Sequence, residues 1–127
     1  MSSETAALAE RAIEAINSRD PDRIRQVLDD DVAITTGRAV HRGVDAALVW
    51  ARKEYDHLVR RYAPDEIRCD GDRALALGSV QYVWSEGGEV ADSSPIALEL
   101  EFGSDRLRSL RLHDDTAAAL LAFENPH

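Results

Sequence analysis

The sequence predicts an α+β domain in which helices come first and an antiparallel sheet follows. Amphipathic helical patterns occupy the first half of the 127 residues. Long strand-like runs separated by glycine-containing turns occupy the second half. Residues 73–84 add a third observation, because both alternating sets of side chains in this run are largely apolar. Both faces of that strand therefore need a cover.

Two helices open the chain. An apolar stripe that includes Leu8, Ala12 and Ile16 predicts a first helix over residues 3–18. A second, short helix is expected to restart at Asp20, which is a good N-cap. Pro21 then occupies the first helical position, where its missing N–H is not needed.

Two short strands around Gly37 and a long third helix are predicted next. The helix is expected to begin at Gly43 or Asp45 and to continue to about Tyr62, because apolar residues recur at helical spacing through this segment. Pro64 would end it. The charged side chains of "WARKEYDHLVRRY" would then form the solvated face of this helix.

Turn residues divide the rest of the chain into strands. Gly71, the pair at 87–88 and "GSD" at 103–105 separate the apolar runs. The closing segment "DDTAAALLAFE" predicts a small helix capped by Asp115 or Thr116. The four predicted strands cover about 66–70, 73–86, 89–102 and 106–114.

Composition excludes several classes of function. The net charge of -9 and the pI near 4.8 disfavour nucleic acid and anionic membrane surfaces as partners. No apolar run approaches the ~18 residues of a membrane span, and the only cysteine, Cys69, favours a reduced, cytoplasmic protein. The sequence contains no nucleotide-binding motif and no metal-ligand spacing, so neither a cofactor nor a metal is expected.

Four segments in order carry a resemblance to a known superfamily: "IEAINSRDPDRIRQVLDDDV", "HRGVDAALVW", "GDRALALGSV" and "LRSLRLHDDTAAALLAF". Together they resemble the nuclear transport factor 2-like superfamily, most closely its SnoaL-like branch. The resemblance covers nearly the whole chain and implies one SnoaL-like domain over residues 1–127. It also implies a cone in which a strongly bent antiparallel sheet wraps around a pocket, with the N-terminal helices on the concave face.

The resemblance also implies which side chains line the pocket. Matching of the turns to the ketosteroid isomerase branch places that branch's catalytic groups at Ala12, Thr36 and Leu98, none of which could perform its chemistry. The chain is therefore not expected to be a ketosteroid isomerase. The predicted ligand-binding residues are Trp50, Tyr55, Gly78, Trp84, Leu98 and Leu110.

Two catalytic candidates follow from the same matching. SnoaL-like polyketide cyclases place a general-base aspartate near the end of the last long strand, where this chain has Asp114. The alternative is that Asp114 and Asp115 only cap the last helix. Tyr82 could donate a hydrogen bond to a ligand oxygen or an enolate, or it could pack at the rim with its hydroxyl in water.

Three functions remain open from the sequence. The chain could be a cofactor-free cyclase or isomerase of a hydrophobic carbonyl compound, with Asp114 as base. It could carry or sense a small hydrophobic molecule without turnover. It could also be an interaction subunit with a collapsed pocket. A homodimer through the convex sheet face is predicted in each case, with Leu75, Leu77 and Val83 facing the partner.

Overall fold

One curled sheet organises the chain. The computed structural model describes residues 2–125. The elements within this range are α1 (Ser2–Ser18), α2 (Pro21–Val27), β1 (Leu28–Thr35), β2 (Val40–Arg42), α3 (Val44–Ala51), β3 (Glu54–Tyr55), β4 (Leu58–Asp70), β5 (Arg73–Trp84), β6 (Val90–Gly103), β7 (Arg106–His113) and α4 (Thr116–Glu124). The predicted α+β class with a strongly bent sheet is confirmed. Among these helices none has the length and apolar character of a membrane span.

The strand order is β2-β1-β7-β6-β5-β4-β3. Neighbouring strands are antiparallel, as expected, except that β1 runs parallel to β7. Parallel strands need a long connection between them. Here β1 is the first strand of the chain and pairs with the last strand, β7, so α3 and the other strands lie between the two in the sequence. Register shifts interrupt the pairing of β4 with β5, of β5 with β6 and of β6 with β7, and such bulges bend strands and increase the twist of a sheet.

The concave face packs against α1, α2 and α3. Ala12 and Ile16 of α1 and Leu48 of α3 are buried against this face. Ala76 and Leu100 of the strands complete the same core. The cap of α2 is as predicted, because the Asp22 backbone N–H donates to Asp20 Oδ1 at 2.9 Å. The inner face therefore forms the main hydrophobic core.

The convex face is covered in part by α4 of the same chain. Ala119 and Phe123 of α4 form a second buried cluster with Leu75 and Ala97, and Leu77 packs against it. The sequence-based reason for a dimer was that this face lacks a cover, and α4 supplies one at Leu75 and Leu77. Dimerisation through the rest of the convex face stays a prediction.

The long third helix was predicted wrongly. The helix ends at Ala51, and the chain turns back as a hairpin in which Tyr55 pairs with Leu58. The two turn residues Asp56 and His57 both have positive φ, 48° and 69°. Two such residues form the type I′ turn that the right-handed twist of a hairpin prefers. The segment that follows is the long strand β4.

Pro64 bulges β4 and does not end a helix. The register shifts between Pro64 and Glu66, which leaves one residue of β4 unpaired. At this bulge β4 approaches Gly78 of β5, so a Cβ at position 78 would lie 2.7 Å from Pro64 Cα and closer still to the Ala63 carbonyl oxygen. Gly78 is therefore required by the close approach of two backbones.

Replacing Gly78 with alanine is expected to destabilise the fold by about 1–3 kcal/mol, because the new methyl group meets backbone atoms that cannot move aside. Gly37→Ala is the matched control, since a Cβ at Gly37 has no atom within 4 Å and its φ is not positive. Urea unfolding of both variants measures the difference. Equal stability of the two variants would contradict the close approach.

Candidate functional site

A cavity of about 560 Å³ opens on the concave side of the sheet. Its walls come from the turn between β1 and β2, the end of α3, and the strands β4 to β7. Val80, Ile96 and Leu112 provide an apolar floor, and polar side chains stand around it. An apolar enclosure with a few polar groups is the usual character of a small-molecule site.

The cavity contains four of the residues predicted from the sequence. Trp50, Tyr55, Tyr82 and Asp114 all line it. They come from α3, β3, β5 and the residue after β7, which are far apart in the chain. The alternation along β5 groups Tyr82 with Val80, and the resemblance assigned this set to the inner face, where the structure places Tyr82.

The other four predicted residues lie elsewhere. Leu98 and Leu110 are on the inner face but are only 3% and 1% exposed, because they pack in the core below the cavity. Gly78 lies against the backbone of β4, so it leaves no space for a ligand. Trp84 is 43% exposed and lines a separate surface depression beside His57.

Arg60 is the principal cavity residue that the sequence did not predict. Its guanidinium carbon lies 4.8 Å from the centroid of the Trp50 ring and 5.5 Å from that of Tyr55. Nη2 donates to the Trp50 carbonyl oxygen, and Nη1 donates to the Tyr62 hydroxyl at 3.4 Å. Cation–π contact and hydrogen bonds together fix the guanidinium plane.

Tyr62 contacts both Trp50 and Arg60 and stabilises their arrangement. Its ring stacks with Trp50 at a centroid distance of 6.2 Å and an interplanar angle of 22°. Asn17 at the end of α1 holds its backbone, because Asn17 Nδ2 donates to the Tyr62 carbonyl and the Tyr62 N–H donates to Asn17 Oδ1, both at 2.8 Å. Trp50 Nε1 is buried without a partner in the described residues, so packing fixes the indole.

Burial raises the pKa of Tyr62 from 10 to about 12, although the positive charge of Arg60 acts in the opposite direction. The low-dielectric surroundings disfavour the phenolate, so Tyr62 keeps its proton in the folded protein. The neutral hydroxyl accepts a hydrogen bond from Arg60. Tyr62 is therefore a positioning residue for the guanidinium.

Arg60 and Tyr62 escaped prediction because the sequence placed them on a helix. In the hairpin they stand two residues apart on one strand, which directs both side chains to the same face. The β-branched Val59 and the aromatic Tyr62 in "LVRRY" were the available signal for a strand. The turn before it contains no glycine and so gave no warning.

The two acids before α4 have separate surroundings. Asp115 is the N-cap, because its Oδ1 accepts from the Ala118 N–H at 3.0 Å. This confirms one of the two caps predicted for the helix. Asp114 lines the cavity and is exposed. The alternative in which Asp114 caps the helix is therefore not what the structure shows.

The charged residues of the lining are Lys53, Arg60 and Asp114, and His41 also contributes. Lys53 Nζ lies 5.1 Å from the Tyr55 ring centroid, at the rim. Over residues 2–125, no grouping of three or more His, Cys, Asp or Glu side chains could hold a metal ion. The polar side chains of the cavity are thus two cations, one carboxylate, one imidazole and the hydroxyls of serine, threonine and tyrosine residues.

Structural comparison gives the fold a name, whereas no protein-family model and no curated protein matches the sequence. A nuclear transport factor 2-like protein of unknown function from Burkholderia pseudomallei superposes with a TM-score of 0.72 at 23% identity, over 93% of this chain and 95% of that one. A candidate SnoaL-like polyketide cyclase from Jannaschia sp. gives 0.73 at 10% identity, over 99% and 95%. An epoxide hydrolase from M. tuberculosis gives 0.74 at 17% identity, over 99% and 98%. The chain has the nuclear transport factor 2-like fold.

Asp115→Ala is expected to cost about 0.5–2 kcal/mol of stability, because it removes the side-chain acceptor at the start of α4. Asp114→Ala is expected to change stability by less than about 0.5 kcal/mol, since its side chain caps nothing. Denaturant unfolding of both variants makes the comparison. A larger loss for Asp114→Ala would show that the roles are reversed.

The free energy of unfolding should also depend on the ionisation of Tyr62. Because its pKa is higher in the folded protein than in the unfolded chain, this contribution is complete below about pH 10 and is lost as the pH rises toward 12. Its full size is about 2–3 kcal/mol, with roughly half lost by pH 11. Tyr62→Phe lacks the titrating group, so its stability should fall less steeply between pH 9 and 11 than that of the wild type. Parallel pH profiles of the two proteins would rule this out.

Proposed function

We propose that the chain binds a small, mainly apolar carbonyl compound in the concave cavity and acts on it without a cofactor, with Asp114 as general base. One observation carries the proposal: a cavity of about 560 Å³ brings together a carboxylate that does not cap a helix, Asp114, and a hydroxyl, Tyr82. Cavities of this size accommodate small organic molecules.

The proposed reaction begins with proton abstraction from the carbon next to the carbonyl group. The C–H bond breaks, its proton goes to an Asp114 carboxylate oxygen, and the electron pair moves toward the carbonyl oxygen to form an enolate. The Tyr82 hydroxyl is the proposed donor to that oxygen. Return of the proton to another carbon would complete an isomerisation, and attack of the enolate carbon on a second carbonyl would complete a cyclisation.

The comparisons support an enzymatic use of this fold. One solved structure that superposes over nearly the whole chain is described as an epoxide hydrolase, and another as a candidate polyketide cyclase. At 17% and 10% identity these likenesses establish the fold alone. The assignment of carbonyl chemistry therefore depends on the residues of this cavity.

A non-catalytic carrier or sensor is the second candidate. Asp114 is exposed and accepts no hydrogen bond from the described residues, so no described group orients its carboxylate. In a carrier, the Asp114 carboxylate would serve only to keep the opening of the cavity hydrated. The third function considered, an interaction subunit with a collapsed pocket, has little support because the cavity is open.

Exchange of α-hydrogens tests the proposal without knowledge of the natural substrate. The wild-type protein is incubated in D₂O with 4-phenylbutan-2-one, and deuterium incorporation is followed by NMR. Asp114→Asn should slow the catalysed exchange by at least ~100-fold, the low end for a positioned general base. Binding of the ketone, measured by chemical-shift changes of the labelled protein, should persist because the amide keeps the shape of the acid.

Asp115→Asn is the matched control. It removes one negative charge from the neighbouring position, keeps the helix cap and does not alter the cavity lining. Its exchange rate should equal that of the wild type. Binding of the ketone without catalysed exchange would favour the carrier, and the absence of any binding in the cavity would contradict both functions.

A further inference from the structure

Arg60 has hydrogen-bonding capacity that the protein itself does not use. A guanidinium has five N–H donors, and in the described part of the chain Arg60 uses one on each terminal nitrogen. The Nε–H and one N–H on each of Nη1 and Nη2 remain. Arg60 also forms no ion pair with any described residue, in a chain with 24 acidic and 15 basic side chains.

The guanidinium is held in one place without a carboxylate partner. Stacking on Trp50 at 4.8 Å and the bond to its carbonyl oxygen fix the group from one side. The Tyr62 hydroxyl fixes it from another. An arginine ordered in advance loses little further conformational freedom when it binds a ligand. Arg60 is therefore preorganised for an anion.

The side chains that line the cavity have a net positive charge, whereas the whole protein has a net negative charge. Lys53 and Arg60 provide two positive charges, and Asp114 provides one negative charge. The chain as a whole has a net charge of -9. The local excess of positive charge favours an anion in this cavity, whereas the acidic surface elsewhere repels it.

We infer that the ligand of this cavity carries a carboxylate group, which Arg60 binds while the apolar part of the ligand covers Val80, Ile96 and Leu112. This inference rests on the proposed function and narrows its substrate class to a keto acid with an apolar body. A carboxylate matches the planar fork of a guanidinium through two parallel N–H···O bonds. A phosphate dianion fits less well, because its two charges exceed the single net positive charge of the lining.

The test compares acids with amides of the same shape. The labelled protein is titrated with 3-phenylpropanoate and 4-phenylbutanoate and with the corresponding primary amides, and chemical-shift changes give the dissociation constants. The acids should bind about 10–100-fold more tightly than the amides, since a hydrogen bond to a charged group contributes more than a neutral one. This preference should decline as salt is added, because ions screen the attraction.

Two neighbouring arginines provide a matched pair of variants. Arg60→Gln should remove the preference for the acid. Arg61→Gln should keep it, because Arg61 lies on the opposite face of β4 and its Nε donates to Gln81 Oε1 at 2.9 Å. Each variant removes one positive charge, so a general electrostatic effect would be the same in both. Arg60→Lys should keep part of the preference, since it retains the charge without the planar fork.

The outcomes separate this inference from the proposed function. Equal binding of acids and amides by the wild type would overturn the carboxylate assignment, while binding and exchange of the neutral ketone would leave the proposed function standing. Equal loss of acid binding in Arg60→Gln and Arg61→Gln would also overturn it. If Arg60→Gln fails to fold, the comparison of acid with amide in the wild type and its salt dependence decide the question. If neither acids nor amides bind, the carboxylate site is absent.

Discussion

The position of β4 against α1 is the constraint on which the site depends. The Asn17 side chain bonds both backbone groups of Tyr62, so the end of the first helix is joined to β4, the strand next to one edge of the sheet. This places the Tyr62 ring under Trp50 of α3, and it places Arg60, on the same face of the strand, between the aromatic rings. The two hydrogen bonds between Asn17 and the Tyr62 backbone fit one register of β4 only, because a slip of one residue would turn the Tyr62 ring to the other face of the sheet. The geometry of the cavity thus depends on the contact of Asn17 with Tyr62, which are 45 residues apart in the sequence.

Much of the fold was accessible from local signals. Asp20 and Pro21 define the start of α2, and the alternation in β5 to β7 gives strand bounds within about two residues of those observed. The error in the third helix has a physical origin. Apolar residues between positions 44 and 62 fit helical spacing, but the helix ends at Ala51. The chain then reverses at a turn of Asp56 and His57, neither of which is glycine. The hairpin is stabilised by the pairing of β4 with β5, which a local pattern does not contain.

The residues of the candidate site were also predictable only in part. Tyr82 and Asp114 could be placed because the bounds predicted for β5 and β7 are close to those observed, and the resemblance supplied the direction of the concave face. Arg60 could not be placed in the cavity, because this position requires the segment to be the strand β4 and the sequence predicted a helix there. Gly78 shows a different limit. A missing side chain indicates either free space or a close approach of backbones, and only the pairing of Gly78 with Pro64 distinguishes the two.

The charges of the cavity restrict how a keto acid could lie in it. Arg60 and Asp114 both line the cavity, yet they form no ion pair with each other among the residues described. In the proposed complex a ligand carboxylate on Arg60 would be repelled by Asp114, so the anionic end of the ligand would point away from the proposed base. The acidic carbon would then lie between the two, over the apolar floor, with Tyr82 of β5 as the available hydroxyl. The proposed orientation would satisfy the cation, the proposed base and the proposed hydrogen-bond donor together, whereas the reversed orientation would bring two negative charges into contact.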